Sequence, residues 1–266
     1  MRVFISADIE GTAGILSWDE AERTHADHKE FRELMTAEVL AACDGAQAAG
    51  ATEIVIKDAH DSGRNLILEH MPPFVRIVRG WSGHPDAMMF GIDKSFDAAL
   101  YTGYHSKAGA EDNPLAHTST LRISRLTLNG ETASEFTLNA LCAARYGVRS
   151  AFLSGDEGIC ADARALVPGI ATVETSKGVG AATISLAPAA ARAAIREAVE
   201  RALCDGAQQA VPRIPERIEI VIEFSNPVDA YRASWYPGVR RDGARAVAFV
   251  SDEYFEILRA YRFMKS

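Results

Sequence analysis

Apolar residues follow two rhythms in the first half of the chain. "RVFISAD", "TEIVIKDAH", "FVRIVRG", "FDAALYTGYH" and "SAFLSGD" are short, nearly continuous apolar runs, the pattern of strands buried on both faces. Between the first two, Phe31, Leu34, Met35, Val39 and Cys43 recur at helical spacing, and Gly50 supplies a stop. "SRLTLNGETASEF" reads as a hairpin turning at Asn129-Gly130, and a helix follows through "EFTLNALCAARYG".

The texture then changes. "APAAARAAIREAVERALCDGAQ" predicts an Ala-rich helix, and "QQAVPRIPERIE" with its two prolines reads as a connection. "RIEIVIEF" and "ARAVAFV" predict strands, and the amphipathic "DEYFEILRAYRFM" a closing helix. The fold class that follows is α/β: a mainly parallel, helix-covered sheet with a second, smaller α/β lobe. A soft boundary near 175–190 divides a metal-binding lobe, 1–180, from a C-terminal lobe, 181–266, unless the two interleave in one domain.

Composition narrows the classes. Of 266 residues, 48% are hydrophobic and 24% charged, ordinary for a soluble globular protein. The 28 basic against 36 acidic residues give −8, with no basic cluster, so nucleic acid is not an expected partner. No apolar run is long enough for a membrane span, and no signal-peptide pattern opens the chain, so a cytoplasmic location is expected. Cys43, Cys142, Cys160 and Cys204 form no C-x-x-C pair, which fits reduced thiols rather than a disulfide framework.

Ligands of helix-covered parallel sheets bind beyond the carboxyl ends of the strands. Here those ends carry Asp8 and Glu10, then Asp58 and His60, then His105, then Asp156. A strand places residues two apart on the same face, so Asp8 and Glu10 are expected to point together, and two like charges side by side repel without a cation or a proton between them. Each residue alone has an ordinary reading. Asp8 could cap a turn, His60 and His105 could be satisfied histidines, and Glu135 could be a first-turn helix glutamate. His117 follows a small, polar loop that either carries a catalytic group or is simply exposed. Asp156 reads as a turn or cap residue and is left outside the site. Jointly, carboxylates and imidazoles are the donors of a two-metal hydrolytic centre, which lowers the pKa of bound water and polarises a carbonyl.

"SADIEGTAGI" resembles the S-x-D-x-E-G signature of the D-aminopeptidase family, the dipeptide-transport-operon aminopeptidases. "KDAHDSGRNL", "YTGYHSKAG", "AHTST", "LNGETASEFTLNA" and "SGDEG" follow in the same order over most of the first 180 residues. The resemblance implies two zinc ions per chain. Asp8, Glu10 and His60 match the ligands of one ion, and His105 and Glu135 complete the second, with Asp8 bridging. His117 matches the family's catalytic histidine, which is not a ligand. Ser106-Lys107 after His105, and Ala116 before His117, depart from the family's usual Ala-Arg and Ser.

The activity implied is hydrolysis of N-terminal residues from short peptides such as D-Ala-D-Ala. The assembly implied is a homo-oligomer, a decamer of two five-membered rings. Two other readings stay open on the residues themselves. One is a metal-dependent amidase or phosphoesterase on another small substrate; the other is a non-enzymatic dipeptide-binding sensor. The absence of a P-loop and of an Arg-rich cluster weighs against phosphate chemistry, and the spare His117 weighs against a pure binder.

Overall fold

A computed structural model of the protein describes residues 1–204 and 211–266. The first half contains β1 (Arg2–Ala7), α1 (Trp18–Ala21), α2 (His28–Ala48), β2 (Glu53–Asp58), β3 (Val75–Val78) and β4 (Ala98–Tyr104). A hairpin of β5 (Ile123–Leu128) and β6 (Glu131–Thr132) leads to α3 (Glu135–Arg145), β7 (Arg149–Asp156) and α4 (Glu157–Leu166). Then come β8 (Ala171–Val179), β9 (Ala182–Ser185), α5 (Pro188–Cys204), β10 (Ile218–Phe224) and α6 (Pro227–Ala233). β11 (Arg240–Arg241), β12 (Ala246–Ser251) and α7 (Tyr254–Met264) close the chain.

Seven strands form one sheet in the order β3-β2-β1-β4-β7-β8-β9, parallel throughout except for the edge hairpin β8–β9. The order reverses at β1: β2 and β3 extend to one side of it and β4 to the other. The crevice at such a reversal is where α/β sheets bind ligands. Both faces of β1 are buried, which is why its run is continuously apolar. Val3 and Ile5 pack with Met35, Val39, Ile195 and Val199 of α2 and α5, and Phe4 joins the core that includes Phe136 and Ile257 on the other side.

The second sheet is antiparallel, in the order β11-β12-β10-β5-β6. Its central strand, β10, alternates instead of being buried on both faces. Ile218, Ile220, Ile222 and Phe224 turn inward to the core of α3 and α7, while Glu219, Val221 and Glu223 lie between them, only partly buried. The hairpin β5–β6 turns where expected: Asn129 (φ 50°) and Gly130 (φ 88°) both take the left-handed conformation a two-residue turn of this hand requires. The chain crosses between the sheets more than once. β5 and β6 belong with β10, whereas β8, β9 and α5 belong with the parallel sheet.

The Ala-rich helix is seen as Pro188–Cys204; the end of that predicted segment and the start of the proline-containing connection lie outside the described residues. The elements that carry no expectation from the sequence are the short α1, α4, the β8–β9 hairpin, the short α6 and the two-residue β11. No helix among the described residues is long and apolar enough to cross a membrane.

Candidate metal centre

The strand β1 ends at Ala7, one residue before the first acid. Asp8 and Glu10 are therefore brought together by a turn and not by strand alternation. Thr12 N–H donates to the Ile9 carbonyl at 2.9 Å, while the N–H groups of Asp8 and Gly11 donate to the carbonyls of Thr102 and Gly103 in β4. Gly11 is required here: a Cβ would lie 1.8 Å from the Tyr104 carbonyl oxygen. The D-x-E-G run is thus a turn pressed against the end of the neighbouring strand, with both carboxylates directed to one place.

The other site residues arrive from separate elements. His60 follows β2, His105 follows β4, Glu135 opens α3 behind its cap Ser134, and His117 lies in the loop before β5. His60 Nδ1 lies 3.2 Å from Asp8 Oδ1 and 3.1 Å from Glu10 Oε2. His105 Nε2 lies 3.7 Å from Asp8 Oδ2 and 3.5 Å from Glu135 Oε1. The two oxygens of Asp8 therefore face two different histidines. His117 Nε2 is 3.6 Å from Glu135 Oε1 and 3.9 Å from Glu10 Oε1, with its ring stacked on His105 at 4.2 Å.

Each histidine is oriented by its other nitrogen. His60 Nε2 bonds the Ala21 carbonyl, His105 Nδ1 that of Ser106 and His117 Nδ1 that of Leu115, each at 2.9 Å. A carbonyl can only accept, so those nitrogens carry the protons, and the remaining lone pairs face the carboxylates. Metal-ligating histidines are held in the same way, one ring nitrogen donating to a carbonyl and the other left for the ion. Glu10 Oε2 and His105 Nε2 are buried with no hydrogen-bond partner. Acceptors facing acceptors in a buried site call for a cation. Three groupings have donor atoms within 4.8 Å of one another: Asp8, Glu10 and His60; Asp8, His105 and Glu135; and Glu10, His105 and His117. The residues present fit divalent metal binding.

The electrostatics carry the same message. Burial first, and the Glu10 charge second, push the Asp8 carboxyl well above its usual range. Burial also opposes ionisation of Glu10, but His60 and the other imidazoles outweigh it and hold Glu10 well below its usual range. Burial would likewise drive Glu135 up, yet His105 pulls it down to about 2. The imidazoles of His60 and His105 resist burial because of the facing acids. His60 is raised well above its usual value and His105 to about 10. His117 differs: burial and the His105 charge lower it, so it stays neutral at pH 7.

A cavity of about 750 Å³ opens on the cluster and is lined by Asp8, Glu10, His60, His117 and Glu135. Several of its walls carried no signal in the sequence. Trp18 meets the His117 ring edge-on at 5.2 Å. Ser119, held at φ 60°, turns its N–H to Glu135 Oε1 at 2.6 Å. Arg262 and Lys265 reach the rim from α7 and the residues after it. Asp58 and Asp156 stand apart. Asp58 accepts from Asn65 and Leu66, and Asp156 caps α4.

Three carboxylates and three imidazoles gathered at the reversal of a parallel sheet fit the donor set of a metal-dependent hydrolase. The D-aminopeptidase family model matches residues 1–263, and the chain belongs to that family. The D-aminopeptidase of Bacillus subtilis (strain 168) is 26% identical over 262 residues, covering 98% of this chain and 95% of the relative. The solved structure of the Zn-dependent D-aminopeptidase DppA from Bacillus subtilis, a self-compartmentalizing protease, superposes with a TM-score of 0.94. It is 26% identical, and the match covers 99% of this chain and 96% of that one.

Proposed function

We propose that the protein is a binuclear zinc aminopeptidase that removes N-terminal residues from short peptides of D-amino acids. The observation that carries the metal count is Asp8, whose two oxygens face His60 on one side and His105 on the other. Asp8, Glu10 and His60 would hold one ion; Asp8, His105 and Glu135 would hold the second. Bound there, the ions supply Lewis acidity toward water and a scissile carbonyl.

His117 is the proton carrier in this reading. Its Nδ1–H is fixed on the Leu115 carbonyl, so Nε2 presents a lone pair to the cavity. Its lowered pKa keeps that nitrogen neutral and able to accept a proton from water. Nε2–H then returns the proton to the leaving amine. Trp18 and the His105 ring hold the imidazole from two sides. A homo-oligomer enclosing its sites accompanies this reading, supported by the self-compartmentalizing relative; we take it to be a decamer of two five-membered rings. A cytoplasmic location fits the free cysteines.

The test is amine release from D-Ala-D-Ala and L-Ala-L-Ala by protein stripped of metal and then given zinc. The expected outcome is cleavage of the D-peptide alone, and only with zinc. Cleavage of the L-peptide would overturn the handedness and leave the metal centre standing. His117→Gln should retain two zinc ions while kcat falls by roughly 10²–10⁴-fold. Loss of a zinc ion from that variant would instead make His117 a ligand.

A further inference from the structure

Four cations line the cavity beside the carboxylate cluster: Arg23, Arg122, Arg262 and Lys265. Three of them are engaged by the protein. Arg23 donates to the Arg64 carbonyl, Arg122 to Asp229 and the Lys265 carbonyl, and Arg262 to Ser266 Oγ. Lys265 differs. Among the described residues its Nζ has no hydrogen-bond acceptor; it lies 5.0 Å from the centroid of the Tyr261 ring.

That ring links the ammonium to the cluster. The Tyr261 hydroxyl donates to Ser119 Oγ at 2.9 Å, and Ser119 N–H donates to Glu135 Oε1 at 2.6 Å. Burial lowers the pKa of the Lys265 ammonium to about 8, against the opposing charge of Glu135, so it stays charged at pH 7; Glu135 itself is directed to Ser119, His105 and His117. A half-buried ammonium with three unused donors, on the wall of a substrate cavity, is a site for an anion.

We propose that Lys265 binds the C-terminal carboxylate of a short peptide substrate. The inference rests on the aminopeptidase reading above and names how that site selects its substrate. In an extended peptide one residue spans only about 3.3–3.6 Å, so the carboxylate of a dipeptide ends close to its scissile carbonyl. A cation joined to Glu135 through two side chains and one backbone N–H stands on the same wall as the acids. A lysine suits this task because its flexible stem carries a point charge to a carboxylate of variable position. The interaction selects for a free carboxylate end, and so for very short peptides.

The test compares the free acid and the C-terminal amide of D-Ala-D-Ala with the zinc-loaded full chain. KM and kcat are measured for both, and binding of the uncleavable reduced-amide analogue, as acid and as amide, is followed by calorimetry. The acid should bind on the order of tenfold more tightly than the amide and show a correspondingly lower KM, the range of one charge-assisted hydrogen bond. Lys265→Met should erase that preference at unchanged melting temperature, and Lys265→Arg should restore most of it.

Equal binding of acid and amide by the wild type, or a preference that survives in Lys265→Met, would overturn the proposal. Cleavage of both peptides with equal KM sinks the carboxylate site alone. Failure to cleave either peptide, with the acid still bound more tightly, sinks the aminopeptidase reading and leaves the anion site standing.

Discussion

Asp8 follows β1 and Asp156 is the last residue of β7 in the same parallel sheet, and both are almost fully buried. Their surroundings are opposite. Asp156 accepts from Ser106 N–H, Ser106 Oγ, Asn113 Nδ2 and Ile159 N–H, four donors for one carboxylate. Asp8 accepts one backbone N–H, from Ile9, and otherwise meets Glu10, Glu135 and two histidines. A buried carboxylate filled by donors is part of the fold; one surrounded by other acids is held in reserve for a cation.

The largest expected effect breaks this pair apart. Asp8→Asn should lose zinc and lower kcat/KM by roughly a thousandfold or more. The metal-free variant should melt no lower than the metal-free parent, since a repulsive buried acid has gone. Asp156→Asn should do the reverse, turning an amide N–H₂ toward donors. It should destabilise by about 2–4 kcal/mol while still binding zinc at saturating metal. Calorimetric melting and metal analysis of both variants decide it. The contrast fails if Asp8→Asn melts several degrees lower and keeps its zinc.

That contrast was partly visible in the sequence. Asp156 sits in "SGDEG" before a helix, where a cap is the ordinary role, and D-x-E followed by Gly at Asp8 is not an ordinary turn. Strands β1, β2 and β4 were legible because both their faces are buried, which demands a continuous apolar run. β8 was not, since it carries the edge strand β9 and mixes Val173 and Thr175 with exposed Glu174 and Lys177. The pairing of Asp8 with Glu10 was legible, but its cause was not. The strand stops at Ala7, and the turn depends on the Tyr104 carbonyl, nearly a hundred residues away. Ser119, Trp18 and Lys265 reach the cavity through tertiary contacts alone, so no local pattern marks them.

A second prediction sharpens the comparison through pH. Metal can bind only after His60 and His105 release their protons, so zinc uptake at pH 7 should release about two protons. Affinity should fall steadily as the solution is acidified. Without metal the sign runs the other way. Both folded-state imidazole pKa values are raised, so their contribution is fully present below 6.5 and is lost as pH rises, that of His105 through about 10. The raised Asp8 acts in the same direction, its contribution being lost as pH rises above the usual carboxylate range. The gap in melting temperature between zinc-loaded and metal-free protein should therefore widen from pH 6 to pH 9. A constant gap, or zinc binding without proton release, would show that the imidazoles are not charged in the empty site.

Glu38 offers the smallest and most local test, because it stands between the two extremes. It lies buried in α2, accepts a single hydrogen bond from Ala13 N–H at 2.9 Å, and leaves Oε2 without a partner. Burial pushes its carboxyl up to about 7, with the Ala13 bond and Arg192 opposing. The folded state therefore holds a proton that the unfolded chain releases near 4.5. Its contribution is intact below that pH and is lost as pH rises through about 7. Glu38→Gln keeps an acceptor for Ala13 and removes the ionisation. The variant should match the parent near pH 4.5 and exceed it by about 1–3 kcal/mol at pH 8. Denaturation at the two pH values reads this directly. An equal gain at both would mean that packing, not charge, separates the two side chains, and a loss at pH 8 would place Glu38 with Asp156 among the acids the fold needs ionised.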